Sequence, residues 1–222
     1  MKKVLLISCF AIMANLMPAK SQNYLYETGV GVGVSSGYGD LNQSRFFYRP
    51  EMAFSAHLRY LYNVRWAFSA EFLSAGLTGD SSDFDNQFPM QAHYQYDSRL
   101  WQLGMNAEFN FLNYGIGADY RNLTRFSPFI TIGASVGFVD TSQRVFSFSI
   151  PMGIGARYKL APRWGLALKI SFAKMLTDKA DAIKDPYGIE SSKIKNTDWY
   201  STCEMSISYS FGERKRNCNN ID

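Results

Sequence analysis

Beyond residue 16 the sequence has no long apolar run, and no segment approaches the ~20 consecutive apolar residues a transmembrane helix needs. Histidine and cysteine are scarce: two of the first, His57 and His93, and three of the second. No clustered His/Cys spacing exists, so the residues point to no zinc site. Cys9 lies inside the first apolar stretch and reads as filler there. Export would permit a disulfide between Cys203 and Cys218. Cys203, however, precedes Phe211 by eight residues, which on an extended strand is roughly 26 Å. The tail would have to run back along the strand to reach it, so no bridge is expected. Excess charge is missing too. Of 23 basic residues against 19 acidic ones, Lys2, Lys3 and Lys20 lie in the first segment, and without them the net charge is +1. A nucleic-acid partner would need a basic stripe, and only Arg214, Lys215 and Arg216 cluster.

Met1, Lys2 and Lys3 precede the apolar run 4–16, and Ala19 and Ser21 supply small residues near a cleavage point. This pattern predicts an export signal over 1–21. It leaves 22–212 as the folded body and 213–222 as a tail.

In that body 16% aromatic content must be carried in short pieces. Segment 100–111 alternates Trp101, Leu103, Met105, Ala107, Phe109 and Phe111 with Gln102, Gly104, Asn106, Glu108 and Asn110. The period is two, that of a strand with unlike faces. Segment 146–158 sets Phe146, Phe148, Ile150, Met152, Ile154 and Tyr158 against Ser147, Ser149, Gly153, Gly155 and Arg157, with Pro151 on the second face. Proline lacks an amide donor, so a bulge or local strain is expected there. The same alternation places Glu51, His57, Arg59 and Glu71 opposite Phe54, Leu58, Trp66 and Phe68. It also places Lys169 opposite Leu168 and Ile170, and Glu204 opposite Met205 and Ile207. Large apolar residues with tryptophan and tyrosine near strand ends predict an all-β fold, a transmembrane antiparallel barrel of about eight strands. Its apolar side would meet outer-membrane lipids. The expected lumen is closed and polar, with Glu51, His57, Arg59, Glu71, Glu108, Arg157, Lys169 and Glu204 pairing inside, because an unpaired buried charge is costly.

Eight strands return both termini to one side, expected to be periplasmic. Segments 63–65 and 160–163 suit periplasmic turns, and 36–49, 77–98 and 174–198 suit outer loops. The connection 112–127 is longer than a periplasmic turn requires, which makes it a candidate docking surface.

Other chemistry reads weakly. Gly29, Gly31 and Gly33 alternate within one strand, so they make room in a narrow lumen and are no dinucleotide fingerprint. Asp80, Asp83 and Asp85 share a loop but lack the spacing of an EF-hand, and a solvated acidic loop is expected. Without a nucleophile and base in mutual reach, no enzyme, catalytic residue or cofactor is expected.

Several stretches carry a resemblance: Ile150 through Gly155, Tyr158 to Leu160, Arg163 with Trp164, and Thr177 and Asp178 with Asp181. It continues through Asn196, Asp198, Trp199 and Tyr200 to Tyr209 through Gly212, with Cys218. In these the chain resembles the PorG-like barrels of the Bacteroidota, which are associated with type IX secretion. The resemblance implies a non-enzymatic outer-membrane barrel that anchors a periplasmic secretion-ring lipoprotein and its partner. Contacts would then fall on the periplasmic side, at Tyr114, Asp119, Tyr120 and Arg121 and at Arg214, Lys215 and Arg216. The alternative is a general structural or surface ligand-binding barrel that works through its outer loops.

Overall fold

The computed structural model describes residues 24–38, 49–80, 95–116, 123–140, 144–176 and 199–213. The expected signal, Asp83 and Asp85, Asp119 to Arg121, the cluster at 214–216 and Cys218 lie outside them.

Eight strands follow one another: β1 Tyr24–Tyr38, β2 Glu51–Leu61, β3 Trp66–Asp80 and β4 Gln95–Asn110, then β5 Phe126–Asp140, β6 Arg144–Lys159, β7 Trp164–Met175 and β8 Trp199–Glu213. Each pairs antiparallel with the next, and β8 closes on β1, so the sheet is a barrel without edges. Paired residues can be followed once round it, from Tyr26 to Tyr60, Phe68, Ala107, Ile132, Met152, Phe172 and Ser201. Ser201 pairs with Ser36, ten residues along β1 from the start. A stagger of ten over eight strands corresponds to a tilt of roughly 40° and a backbone radius of about 8 Å. Such a barrel is just wide enough for its own side chains.

The alternation read in the sequence is the division between outside and inside. Val30, Leu103, Met105, Ile132 and Ile154 are more than half exposed on the outer face. On β5 the outward residues run from Phe126 to Phe138, about 30 Å along the barrel axis at that tilt. Aromatic rings crowd one end. Tyr26 lies 5.7 Å from both Tyr60 and Phe211, Trp66 lies 4.9 Å from Phe109, and Trp164 lies 5.2 Å from Tyr209. The short connections 62–65 and 160–163, the longer 111–125 and both strand ends Tyr24 and Glu213 meet at this end, here called the turn end. The strand ends Tyr38, Glu51, Asp80, Gln95, Asp140, Arg144, Met175 and Trp199 lie at the opposite end, here called the loop end.

Three expectations are corrected. First, the strands reach further into the presumed loops: Leu77 pairs with Ser98 and Lys174 with Trp199, and Ser36 lies within β1. Second, Pro151 makes no bulge. The β5–β6 ladder omits the rungs opposite Gly133 and Ala134 and resumes from Ile132–Met152 to Ser135–Ser149 in the same register. The ring removes an amide donor but adds no residue, so the strand stays in step. Third, the lumen is polar in only part of its length. Ala53, Leu73, Ala75, Leu77, Leu100, Val139, Ala173, Met175 and Tyr200 form one buried apolar cluster towards the loop end. The strand extensions place Leu77 and Met175 inside, where apolar side chains can fill the tube without needing partners.

Candidate functional site: the charged lumen and the turn-end rim

Inward positions on several strands are filled by serine, which is small and can bond sideways to neighbouring groups. Ser135 and Ser149 meet at 2.8 Å, Ser149 donates to Gln102 Oε1 at 3.0 Å, and Tyr200 donates to the same oxygen at 2.7 Å. Below this layer the charges gather in two groups. In the first, Glu108 Oε2 accepts from Arg157 Nη2 at 2.6 Å and forms an ion pair with Arg59, whose Nε lies 2.8 Å away, while Ser69 donates to Oε1 at 2.7 Å. Glu27 pairs with Arg59 at 3.4 Å and accepts from the Ser208 hydroxyl. In the second, Lys169 bridges Glu71 at 2.5 Å and Glu204 at 3.2 Å, and Asn106 donates to Glu71 at 3.3 Å.

With Lys159, which donates to Ser210 at 2.5 Å, the described lumen holds four cations and four carboxylates. That balance is what burial demands. A lone ion taken from water into a dry tube is strongly unfavourable, and mutual pairing with added hydrogen bonds offsets the loss. Glycines set the available space. A Cβ on Gly29 would lie 2.8 Å from the His57 ring, and one on Gly155 would lie 2.6 Å from Phe129. Phe129 in turn carries the Arg157 guanidinium 4.0 Å above its centroid, a favourable cation–π distance.

Tyr114 closes the turn end. It bridges to Thr124 across the connection, and its ring lies 5.5 Å from both Arg157 and Lys159. Only 8% of it is exposed. Burial, with the nearby Glu27 carboxylate, pushes its phenol above the ordinary value. At the rim, Arg163 donates to the Tyr24 and Tyr209 hydroxyls at 3.1 and 2.9 Å. These two bonds raise the guanidinium above its ordinary value.

Of the residues singled out from sequence, His57, Arg59, Glu71, Glu108, Arg157, Lys169 and Glu204 are brought inside. Glu51 is not part of either group. It has the inward parity but stands exposed at the loop-end mouth, on the last rung of the β1–β2 ladder. Tyr114 is also placed differently: as a periplasmic contact it would face outward, yet it turns into the lumen because two cations and Glu27 lie there. The sequence reading overlooked Glu27 and Lys159. Their parity with Gly29 and Arg157 was the available signal, but both sit near strand ends, where alternation has few neighbours to define it.

Chemically the arrangement holds charge and excludes space. His57 is the histidine of the described residues, and its Nε2 has no hydrogen-bond partner in the protein. Among the described residues no group of three or more His, Cys, Asp or Glu could hold a metal. Cys203 is a free thiol among those residues.

Comparison with solved structures finds the same fold. Neisserial surface protein A superposes with a TM-score of 0.55 at 11% identity, over 84% of this chain and 97% of its own. Ail of Yersinia pestis gives 0.47 at 14% identity, over 85% of this chain and 99% of its own. OprG from Pseudomonas aeruginosa gives 0.47 at 9% identity, over 87% of this chain and 98% of its own. No curated protein matches the chain. Residues 3–220 match one family across almost the whole sequence, and the chain, a closed eight-stranded antiparallel barrel, belongs to the family described as domain of unknown function DUF6089.

Proposed function

We propose that this barrel is integral to a bacterial outer membrane, with its turn end and both termini on the periplasmic side, and that it anchors a type IX secretion complex without enzymatic activity. What carries the reading is a filled interior inside an apolar exterior. The lumen is occupied by paired charges, the Tyr114 ring and an apolar cluster. A barrel of this radius leaves no wide conduit, so its work falls to its surfaces. The outward belt of aliphatic side chains, bordered by tryptophan and tyrosine, suits a hydrocarbon layer and its interface.

The resemblance to PorG-like barrels supplies the class of partner, a periplasmic ring lipoprotein and its companion. The surfaces for it are the 111–125 connection, with Asp119, Tyr120 and Arg121 beyond the inturned Tyr114, and the segment carrying Arg214, Lys215 and Arg216. The test is purification of the tagged protein from native outer membranes in a gentle detergent, with identification of what accompanies it. Co-purification of the ring lipoprotein, lost when the three tail charges become alanine, is the expected result. A barrel recovered alone, under conditions that keep other membrane complexes intact, sinks the anchoring role. It would favour the second reading, a structural or surface ligand-binding barrel. Sequence segments 81–94 and 177–198 at the loop end are long enough to serve that purpose.

A further inference from the structure

Three connections cross the turn end, and each delivers an arginine directly before an aromatic residue that opens a strand. Arg65 precedes Trp66, Arg125 precedes Phe126 and Arg163 precedes Trp164. The recurrence extends to the backbone. The Arg65 carbonyl accepts from Asn110 N at 2.7 Å, that of Arg125 from Lys159 N at 2.8 Å, and that of Arg163 from Ser210 N at 2.7 Å. Each bond continues its ladder to the following strand, so the three arginines occupy equivalent rungs of the rim, two strands apart. At the strand spacing and tilt of this barrel each stands roughly 12 Å round the rim from the next. One bidentate guanidinium–phosphate pair is far shorter, so each arginine would take its own anion.

Arg65 and Arg163 are held in place without being neutralised. Arg65 donates to Asn113 Oδ1 at 3.2 Å, Arg163 donates to two tyrosine hydroxyls, and Arg125 is exposed. Among the described residues none of the three forms an ion pair, and the described parts of these connections contain no Asp or Glu. The loop-end mouth differs, with Glu51, Asp97 and Asp140 beside Arg49 and Arg99. The aromatic residues that follow fix the depth. Trp66 and Phe126 are exposed on the outer face, Trp164 packs on Tyr209, and the guanidinium groups therefore stand where the apolar belt ends.

We propose that Arg65, Arg125 and Arg163 form a ring of sites for the headgroups of anionic phospholipids in the leaflet at the turn end. The inference rests on the membrane reading above. An anion that meets these groups has to sit at the boundary between apolar belt and water, which is where lipid phosphodiesters lie, and interfacial basic residues attract lipids of net negative charge.

The test places the full-length protein in phosphatidylcholine vesicles containing spin-labelled phosphatidylglycerol or spin-labelled phosphatidylcholine. Electron paramagnetic resonance then reads the lipid immobilised at the barrel. The wild type is expected to favour phosphatidylglycerol by roughly fivefold, the preference one interfacial charge confers. The triple variant R65Q/R125Q/R163Q should fall to parity, and R65K/R125K/R163K should keep the preference. If the triple glutamine variant does not insert, each single variant should lower the preference in part, and no change in all three overturns the ring. Equal immobilisation of the two lipids by an inserted wild-type barrel also overturns it. A wild-type chain that inserts into neither vesicle overturns the membrane reading itself.

Discussion

Glu108 illustrates how single residues hold this interior. One carboxylate pairs with two buried guanidinium groups and accepts from a serine. Glu108→Ala would take from Arg157 its carboxylate and leave Arg59 only the longer contact with Glu27, and removal of one partner of a buried pair costs about 3–5 kcal/mol. Urea unfolding of the refolded protein in lipid vesicles should show a loss of that size. A loss well under 1 kcal/mol would mean that the cations re-pair or hydrate, and that the lumen is wetter than the packing indicates. Arg59, Glu108 and Arg157 were legible in the sequence, since each lies on the parity opposite an apolar face. The inward turn of Tyr114 was not. A tyrosine in a connection carries no periodicity, and only the assembled lumen presents the cations its ring faces.

Among the elements, the β2–β3 connection is set by one side chain. Asn63 Oδ1 accepts from Arg65 N at 2.8 Å and from Trp66 N at 2.7 Å, an Asx turn that satisfies two amides where the ladder stops. Asn63→Ala should lower stability by about 1 kcal/mol in the same unfolding assay, and Asn63→Asp should recover most of it. Equal stability of all three proteins would show that water replaces the asparagine at no cost. The same scale explains where the sequence reading of strands stopped short. Alternation predicts about eight strands, and eight are found. Their loop-end extensions at Leu77, Lys174 and Ser36 pair through backbone bonds, in stretches where no regular contrast between faces remains. Pro151 shows the reverse. Its chemistry announced a broken ladder, and the ladder is broken, but the continuous pairing with β7 from Ser149 to Lys159 keeps the strand from gaining a bulge.

At the scale of the whole molecule, an apolar exterior and a paired interior exchange the usual places of core and surface. Met105, 76% exposed and near the middle of the outer belt, tests whether that belt faces hydrocarbon. Met105→Arg should destabilise the protein folded in vesicles by about 2–4 kcal/mol, the cost of a basic residue facing the bilayer midplane. An effect near zero would place this face in water. Closure of β8 on β1 also gives the rim its regularity. Because every described register is constant, the hairpins that open β3, β5 and β7 bring Arg65, Arg125 and Arg163 to corresponding rungs.

Alternation is a local property, written residue by residue along each strand. The all-β class, the number of strands, the outward belt and most inward charges were therefore readable before any contact was known. Which inward charge meets which is not local. Glu108 reaches Arg59 and Arg157 from a different strand, and Lys169 reaches Glu71 across a separation of 98 residues. Such meetings depend on the stagger accumulated round all eight strands, which no single segment encodes. The inturned Tyr114, the apolar cluster at the loop end and the ring of rim arginines arise in the same way, from closure of the sheet upon itself.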